Sequence, residues 1–344
     1  MKKKIFVGLS GGVDSAVAAL LLQREGYDVH GVTLQLKADA AADIRDARNV
    51  ALALGIPHTV LPLETEFRAL VVDYFTRAYL CGETPNPCVI CNPAIKFGKM
   101  LDFALENGAQ GIATGHYARI ARAGERFLLK SSPSKKDQSY FLHRLTQQQL
   151  AHAVFPLAEM TDKAEIRALA QEASLPLAQK TDSQEICFVP QDDYYTFLQQ
   201  SGAALPPPGD FTDASGAVLG RHGGIARYTV GQRKGLGAFG RPMYVTKINP
   251  AENTVVLGEA GAQYRTECSL RDLHWIAPPK EPIFLTAVKV RYRAAPQAVR
   301  VTLRENNCAQ LDFAEPVRAV TPGQFAVFYD GATVLGGGCI CVGD

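Results

Sequence analysis

A short segment rich in glycine and serine, Gly8-Leu9-Ser10-Gly11-Gly12-Val13-Asp14-Ser15, lies between an apolar run and a helical pattern. Glycines let backbone N–H groups approach a phosphate closely, and the start of a helix adds positive partial charge. Ser10 and Ser15 can donate hydrogen bonds to phosphate oxygens, and Asp14 can hold a Mg²⁺ ion that bridges pyrophosphate. The Gly-Lys-Ser/Thr ending of a Walker A loop is absent, so the segment predicts a nucleotide-phosphate site of another type.

Three cysteines are the other residues whose side chains could take part in chemistry. Cys88 and Cys91 form a C-x-x-C pair in a proline-bounded loop directly before a helical pattern, a position that can lower a thiol pKa. The pair alone fits redox, zinc or iron–sulfur chemistry, and no second pair completes a zinc site. Cys187 follows a helical pattern, and its alternative interpretation is a packed small side chain. Packing is favoured for the remaining cysteines: Cys81, Cys268, Cys308, Cys339 and Cys341.

Strand and helix patterns alternate over the first 200 residues. Apolar runs typical of buried parallel strands cover residues 5–9, 29–36, 58–63 and 111–114, and helical patterns cover 14–24, 44–54, 67–80 and 96–107. This order predicts a doubly wound parallel sheet with right-handed crossovers. Ligands of such sheets bind at the carboxyl ends of the strands, where the glycine-rich segment lies.

The pattern changes near residue 200. Helical patterns at 161–173 and 192–200 precede Pro206-Pro207-Pro208-Gly209, which indicates a linker. Short alternating strands follow, at 244–248, 254–257, 284–292, 298–304, 310–313 and 324–329. We predict an α/β protein with a doubly wound parallel-sheet domain over 1–204, a central β-rich domain over 205–273 and a C-terminal barrel-like domain over 274–344. The G-x-G-x-x-G match at 235–240 lacks a strand-turn-helix context and predicts a flexible basic loop.

Composition and charge restrict the class of protein. The chain has 344 residues, 47% hydrophobic and 20% charged, which excludes a disordered protein, a collagen and a small disulfide scaffold. No apolar run approaches the about 20 residues needed to span a bilayer, so we expect a cytoplasmic protein without a membrane partner. Net charge is only +2, yet Arg221–Lys247 holds six basic residues and Ala287–Arg304 five, both without an acid. These stretches suit a polyanion or, equally, a solvated strand surface.

The glycine-rich loop resembles the Ser-Gly-Gly-x-Asp-Ser loop of the ATP pyrophosphatase (PP-loop) family, whose members cleave ATP between the α- and β-phosphates and adenylate a carbonyl-type oxygen. Further segments, in order and over nearly the full chain, resemble the bacterial tRNA-specific 2-thiouridylases. They are residues 84–91, 95–97, 113–117, 136–142, 182–183, 186–188, 229–236, 290–293 and 321–324. The resemblance implies ATP and Mg²⁺ as cofactors, adenylation of O2 of the wobble uridine U34 of tRNA, and sulfur attack at C2.

The resemblance also implies roles for residues. Gly8–Ser15 would bind ATP, with Leu34 and Gly115 beside the adenosine, and Cys91 would be the nucleophile and Cys187 the persulfide carrier. Asn86, Pro87 and Cys88 would meet the target base. Contacts with tRNA would be made by His116, Lys136, Asp137, Gln138, Arg291, Tyr292 and Gln324. The expected partners are tRNA and a sulfur donor, either a persulfide-carrying protein or sulfide.

Two departures from the family pattern bear on mechanism. The segment Gln35–Asp43 is short and lacks the Met-Lys-Asn-Trp-type sequence often found there, and Cys88 stands where the family commonly has Asp. With Cys91 and Cys187, a third thiolate can hold a [4Fe–4S] cluster and leave one iron open to sulfide. We therefore favour a cluster over a persulfide relay and over zinc. The functional alternatives are a PP-loop ligase or amidotransferase acting on a small metabolite, 2-thiolation of a cytidine in tRNA, and a non-enzymatic nucleotide-sensing module.

Overall fold

The computed structural model describes residues 2–176 and 186–341. The predicted motif residues 182–183 and the chain end after residue 341 therefore lie outside the described residues. Up to residue 172 the elements are β1 (Lys4–Gly8), α1 (Val13–Arg24), β2 (Asp28–Gln35), α2 (Ala41–Leu54), β3 (His58–Pro62), α3 (Glu64–Phe67), α4 (Asp73–Leu80), α5 (Pro87–Cys91), α6 (Met100–Glu106), β4 (Ile112–Ala113), β5 (Ala118–Ala123), β6 (Arg126–Ser131), α7 (Gln147–Ala151), β7 (Ala153–Val154) and α8 (Lys163–Glu172). Two π-helical segments occupy Arg68–Val72 and Asn92–Lys99, and a 3₁₀ turn occupies Ser139–Leu142.

The remaining elements are mostly strands. They are α9 (Tyr194–Gln200), β8 (Gly209–Thr212), β9 (Val218–His222), β10 (Tyr244–Asn249), β11 (Thr254–Gly258), β12 (Tyr264–Trp275), β13 (Ile283–Lys289), β14 (Gln297–Arg304), β15 (Cys308–Arg318), β16 (Phe325–Asp330) and β17 (Thr333–Cys341), with 3₁₀ turns at Pro190–Asp192 and Ile225–Arg227. None of the helices in the described part of the chain combines the length and apolar character needed to cross a membrane.

The first compact unit contains, of the described residues, 2–71, 88–176 and 332–334. Its five-stranded parallel sheet has the order β3-β2-β1-β4-β7. The strand order reverses beside the central strand β1, which opens a crevice at the carboxyl end of that strand. Helix α1 is buried on most of its faces because Ala and Val fill it from Val13 to Leu22. The predicted doubly wound α/β architecture is confirmed.

This unit also contains a hairpin that the sequence patterns did not predict. Strands β5 and β6 pair antiparallel, and the turn between them uses Gly124 with φ of +62°. The outer edge of β6 pairs with Thr333 and Val334, about two hundred residues away. Both strands are half exposed and carry several Arg and Lys side chains, so they lack the apolar run by which buried strands are recognised.

The second compact unit contains, of the described residues, 72–87, 186–331 and 335–341. A four-stranded sheet of order β10-β11-β8-β9 packs around Phe211, Val245 and Leu257. A second sheet of order β12-β15-β14-β13-β16-β17 closes on itself, because β12 also pairs with β17. Its interior holds Val301, Leu311 and other aliphatic side chains. The predicted β-rich second half with a closed barrel is therefore confirmed.

Several predicted boundaries were wrong for identifiable reasons. The strand predicted over 284–292 ends at Lys289, since Ala294 N–H donates to Arg291 C=O at 3.1 Å and turns the chain. Gly209, predicted in a linker, begins β8, and the position is packed so closely against the backbone oxygen of Asn253 that a Cβ would not fit. The helix predicted over 96–107 begins as the π-helical segment at Asn92 and ends at Glu106. The domain limits at 204 and 273 stay predictions.

Candidate active site

The glycine-rich loop joins β1 to α1 at the carboxyl end of the central strand. Leu9 N–H donates to Val32 O at 2.7 Å and continues the ladder between β1 and β2. Gly11 has φ of +70°, and a Cβ there would lie 3.0 Å from the backbone oxygen of Asp43. The close approach and the positive φ both require glycine. The loop is therefore held tightly against the start of α2.

Ser15 fixes the turn from inside the loop. Its Oγ accepts a hydrogen bond from Ser10 N–H at 3.2 Å and donates one to Gly12 C=O at 2.9 Å. The Ser10 and Ser15 hydroxyls lie 3.3 Å apart. Because Ser15 organises the backbone, hydrogen bonds within the loop itself fix its shape. A shaped loop at the N-terminus of a buried twelve-residue helix is the geometry of a phosphate site.

Asp14 is held by two side chains from distant parts of the same unit. Lys163 Nζ lies 2.6 Å from Asp14 Oδ1, and the Tyr117 hydroxyl donates to the same oxygen at 2.8 Å. The Asp14 and Lys163 side chains are only 26% and 15% exposed, so the pair is partly shielded from water. Gln138 in turn fixes Tyr117 with two hydrogen bonds. Its side-chain Oε1 accepts the backbone N–H of Tyr117 at 3.0 Å, and its backbone N–H donates to the Tyr117 C=O at 2.7 Å. A lysine charge is thus held at the phosphate loop.

The two residues predicted beside the adenosine lie near the carboxyl ends of β2 and β4, the strands on either side of β1. Gly115 follows β4, and a Cβ there would lie 2.9 Å from both Asp14 C and Ser15 N. Only glycine lets the chain pass this close to the start of α1. Leu34 is half buried in β2, opposite Leu61 of β3. Leu34 and Gly115 therefore lie on opposite sides of the carboxyl end of β1, where ligands of such sheets bind.

The C-x-x-C pair lies on the short helix α5. Cys88 is exposed, whereas Cys91 is 7% exposed. The following residue, Asn92, is 1% exposed and donates from Nδ2 to Phe141 C=O at 3.1 Å, which anchors the C-terminal end of the helix. One thiol of the pair thus faces solvent and the other is sheltered.

Cys187 belongs to the second unit and is exposed. Its neighbour Phe188 packs edge-on against Phe75 and Phe197, with ring centroids 5.2 and 5.3 Å away. An aromatic anchor therefore holds a short segment that presents the thiol to solvent. Across residues 2–176 and 186–341, no three His, Cys, Asp or Glu side chains are grouped so as to hold a metal ion.

His116, expected to contact tRNA, lies inside the first unit. It is 9% exposed, its Nδ1 is 2.7 Å from Thr114 Oγ1, and its ring lies near Phe97 and Phe155. Burial first, and then the charge of Lys96, hold the pKa of His116 well below its usual value. The imidazole is therefore neutral at physiological pH and offers little surface to a polyanion.

The segment Lys136–Gln138 has a structural role besides the tRNA contact expected of it. Asp137 Oδ1 accepts the N–H groups of Ser132 and Ser139, and Oδ2 accepts the Ser139 hydroxyl at 2.9 Å. Gln138 is committed to Tyr117, as described above. Lys136 is half exposed between them. Of the three side chains, the Lys136 ammonium is the one suited to phosphate.

The expected tRNA residues of the second unit differ in setting. Arg291 is exposed and Tyr292 half buried, both in the turn after β13. Gln324 instead donates from Nε2 to the backbone oxygens of Thr84 at 2.8 Å and Pro85 at 3.3 Å. Asn86, expected at the target base, is half buried just beyond these carbonyls.

Lys163 was missed by the sequence analysis, as was the role of Tyr117 within its recognised motif. The available signal for Lys163 was its place at the first position of a helix, directly after the N-cap Asp162, whose side chain accepts Ala164 N–H at 2.9 Å. An N-cap predicts the start of a helix but not what the next side chain meets. Local sequence patterns therefore could not predict the ion pair between Lys163 and Asp14.

The fold and the loop define a class: an α/β protein with a PP-loop on a HUP-type domain. Family profiles match residues 3–191 as a tRNA methyl transferase HUP domain, 195–259 as a tRNA methyl transferase PRC-barrel domain and 265–340 as an aminomethyltransferase β-barrel domain. Proteins named tRNA-specific 2-thiouridylase MnmA are similar over nearly the whole chain. The protein from Pelobacter propionicus is 47% identical over 98% of this chain and 97% of its own, and that from Desulfitobacterium hafniense is 46% identical over 98% of both.

The chain belongs to the tRNA-specific 2-thiouridylase family, as its motifs predicted. A solved 4-thiouridine synthetase–RNA complex with bound ATP is 18% identical, over 58% of this chain and 50% of that one, with a TM-score of 0.38, too low to support a conclusion.

Proposed function

We propose that this protein uses ATP to convert U34 of tRNA to 2-thiouridine, in the cytoplasm. The observation that carries the proposal is the shaped PP-loop at the carboxyl end of β1, with Asp14 held between Lys163 and Tyr117. Family membership favours this reaction over a ligase acting on a small metabolite. The thiols of Cys88, Cys91 and Cys187 supply a means of handling sulfur that such a ligase does not need.

The activation step needs charge stabilisation more than covalent chemistry from the protein. The uracil C2 oxygen attacks the α-phosphorus of ATP, the α–β bond breaks, and pyrophosphate leaves with its negative charge. Backbone N–H groups of the loop and the start of α1 would face that charge, and the Lys163 ammonium lies 2.6 Å from Oδ1 of Asp14 in the first turn of α1. Fixed donors of this kind cost no reorganisation when the charge develops.

The site also fits a magnesium ion. Asp14 provides a carboxylate at the loop, and Mg²⁺ in nucleotide sites takes one or two carboxylates besides water and phosphate oxygens. When bound, Mg²⁺ would neutralise charge on the phosphates. The chain's own contribution is to orient Asp14 through Lys163 and Tyr117.

Sulfur then attacks C2 of the adenylated uridine and AMP leaves. In a relay, a persulfide on Cys187 delivers the outer sulfur, and Cys91 forms a disulfide with Cys187 as that sulfur is released. The sheltered setting of Cys91 suits a nucleophile protected from adventitious oxidants. The exposed Cys88 leaves the iron–sulfur route of the sequence analysis as the second possibility, with sulfide as the donor.

Binding of tRNA places U34 at this site. The exposed Arg291 and half-exposed Lys136 are proposed to neutralise phosphates, while Tyr292 and the neutral His116 add no charge. The uridine must leave its stack to be adenylated, which costs a few kcal/mol, roughly, and the phosphate contacts offset that cost.

One experiment tests the whole proposal. The purified chain is incubated with ATP, Mg²⁺, an unmodified tRNA bearing U34, and either a persulfide donor or sulfide. Nucleoside mass analysis should find 2-thiouridine at position 34, with AMP and pyrophosphate released in equal amounts. Formation of ADP and phosphate, or thiolation of a cytidine instead, would refute the proposal.

A further inference from the structure

The loop Glu83–Pro87, which leads into α5, is held by the segment between β15 and β16. Thr84 N–H donates to Pro322 C=O at 2.8 Å. In the opposite direction, Gln324 Nε2 donates to Thr84 O at 2.8 Å and to Pro85 O at 3.3 Å. An amide NH₂ group has two hydrogens, and two backbone carbonyls receive them. Gln324 therefore has only its Oε1 to offer to an RNA.

The contact is too close for any residue but glycine at position 323. Gly323 has φ of +88°, and a Cβ there would lie 2.8 Å from Glu83 Cβ and 2.9 Å from Thr84 N. The motif Thr321-Pro322-Gly323-Gln324 is thus built to receive this loop. Glycine permits the approach, and its two neighbours supply the hydrogen bonds.

A charged pair and a hydroxyl hold the same loop from two further directions. Arg271 meets Glu83 through two parallel contacts, Nη1 to Oε1 and Nη2 to Oε2, each 2.9 Å. The Glu83 side chain is 20% exposed and that of Arg271 39%, so the fork is partly shielded. Thr84 Oγ1 also donates to Thr229 Oγ1 at 3.0 Å. All of these residues lie in the second unit.

We propose that Gln324 and Arg271 are positioning residues: they hold the loop that presents Asn86 to the target base. The inference rests on the proposed function. These contacts form a clamp on the loop, which ends at Pro87, the buried first residue of α5. A loop held from three sides meets the base without paying to become ordered during the reaction.

The first test separates positioning from binding. Gln324→Ala should slow single-turnover thiolation at saturating tRNA about tenfold, while the Kd for tRNA changes by less than about twofold. Hydrogen exchange of Thr84 N–H, followed by mass spectrometry without tRNA, should accelerate by a similar factor. Gln310→Ala is the matched control, because Gln310 is a barrel glutamine that is hydrogen-bonded to Glu267 and Ser269 instead. This variant should change neither the thiolation rate nor the exchange of Thr84 N–H.

Glu83→Gln is the second variant that tests the proposal. It removes a negative charge, so a purely electrostatic effect on tRNA would tighten binding and leave the rate unchanged. The clamp predicts a slower rate at saturating tRNA and faster Thr84 exchange. Weaker tRNA binding by Gln324→Ala with an unchanged saturated rate would overturn the proposal, as would unchanged Thr84 exchange in both variants. If the wild-type protein forms no 2-thiouridine, the proposed function fails, whereas the exchange measurements still judge the clamp.

Discussion

Lys163 Nζ lies 2.6 Å from Asp14 Oδ1, although 149 residues separate the two in the chain. The contact joins the first turn of α1 to the first residue of α8, and both side chains are mostly shielded from water. A second ion pair, Arg24 with Glu172 at 2.8 Å, joins the same two helices at their exposed ends. The helices are therefore linked twice, and only the inner pair lies at the phosphate loop.

Lys163→Ala should lower the rate of pyrophosphate release about 10²-fold or more, since it removes a fixed positive charge at the site where charge develops. Binding of tRNA should be nearly unchanged. The rate is measured by tRNA-dependent release of pyrophosphate from ATP. Arg24→Ala is the matched control, because it breaks the other pair between α1 and α8. Equal loss in both variants would show that Lys163 serves only to join the helices.

Asp14→Ala should abolish adenylation but leave tRNA affinity within about twofold, because Asp14 is proposed to act on ATP and its metal ion. Filter binding gives the affinity, and AMP formation gives the activity. Tyr117→Phe removes one hydrogen bond to the same carboxylate and should cause a smaller loss, about tenfold or less. A large loss of tRNA affinity in Asp14→Ala would contradict this division of roles.

Arg291→Ala and Lys136→Ala should weaken tRNA binding and flatten its dependence on salt. Each lost phosphate contact should reduce the slope of log K against log salt by about 0.7–0.9. Binding is measured between low and moderate salt, again with Arg24→Ala as a control for loss of an exposed arginine. If a variant changes neither the slope nor the affinity, the replaced residue does not contact a phosphate of tRNA.

Three variants, in which Cys88, Cys91 or Cys187 is replaced by Ala, together distinguish the cluster from the persulfide relay. A cluster requires about four irons per chain after anaerobic reconstitution, lost in each variant. A relay requires only Cys91 and Cys187, so Cys88→Ala should then thiolate normally with a persulfide donor and no iron. Iron content and single-turnover thiolation are the measurements. Full activity of Cys91→Ala or Cys187→Ala would contradict both routes.

The buried His116 should make stability depend on pH. Its pKa is lowered in the folded state by burial and then by Lys96, so the unfolded chain binds a proton that the folded chain does not as pH falls below about 6.5. His116 therefore costs stability on acidification and nothing at higher pH. His116→Gln should flatten the fall by up to about 1.4 kcal/mol per pH unit, measured by urea unfolding between pH 8 and 5. An unchanged slope would show that His116 is protonated in the folded protein.

Three features could be predicted from the amino-acid sequence: the phosphate loop, the alternation of strand and helix, and the positions of the thiols. The residues from Gly8 to Ser15 are contiguous in the chain. The turn that they form depends on its glycines and on the hydrogen bond between Ser10 and Ser15, five residues apart. Hydrophobic periodicity likewise acts over one or two turns of helix or a few strand residues. Such signals are local, so they can be read without knowing the path of the chain.

The side chains that complete these local features depend on long-range packing, which no local pattern reveals. Lys163 reaches Asp14 because α8 packs on α1, and Gln324 reaches Thr84 from 240 residues away. The β5–β6 hairpin finds its third strand in Thr333 and Val334. These partners have no local signature, because long-range pairing is selected by the joint burial of whole elements. Gln324, expected to contact tRNA, therefore holds a backbone loop, and Lys163, which lies in no recognised motif, lies beside the phosphate loop.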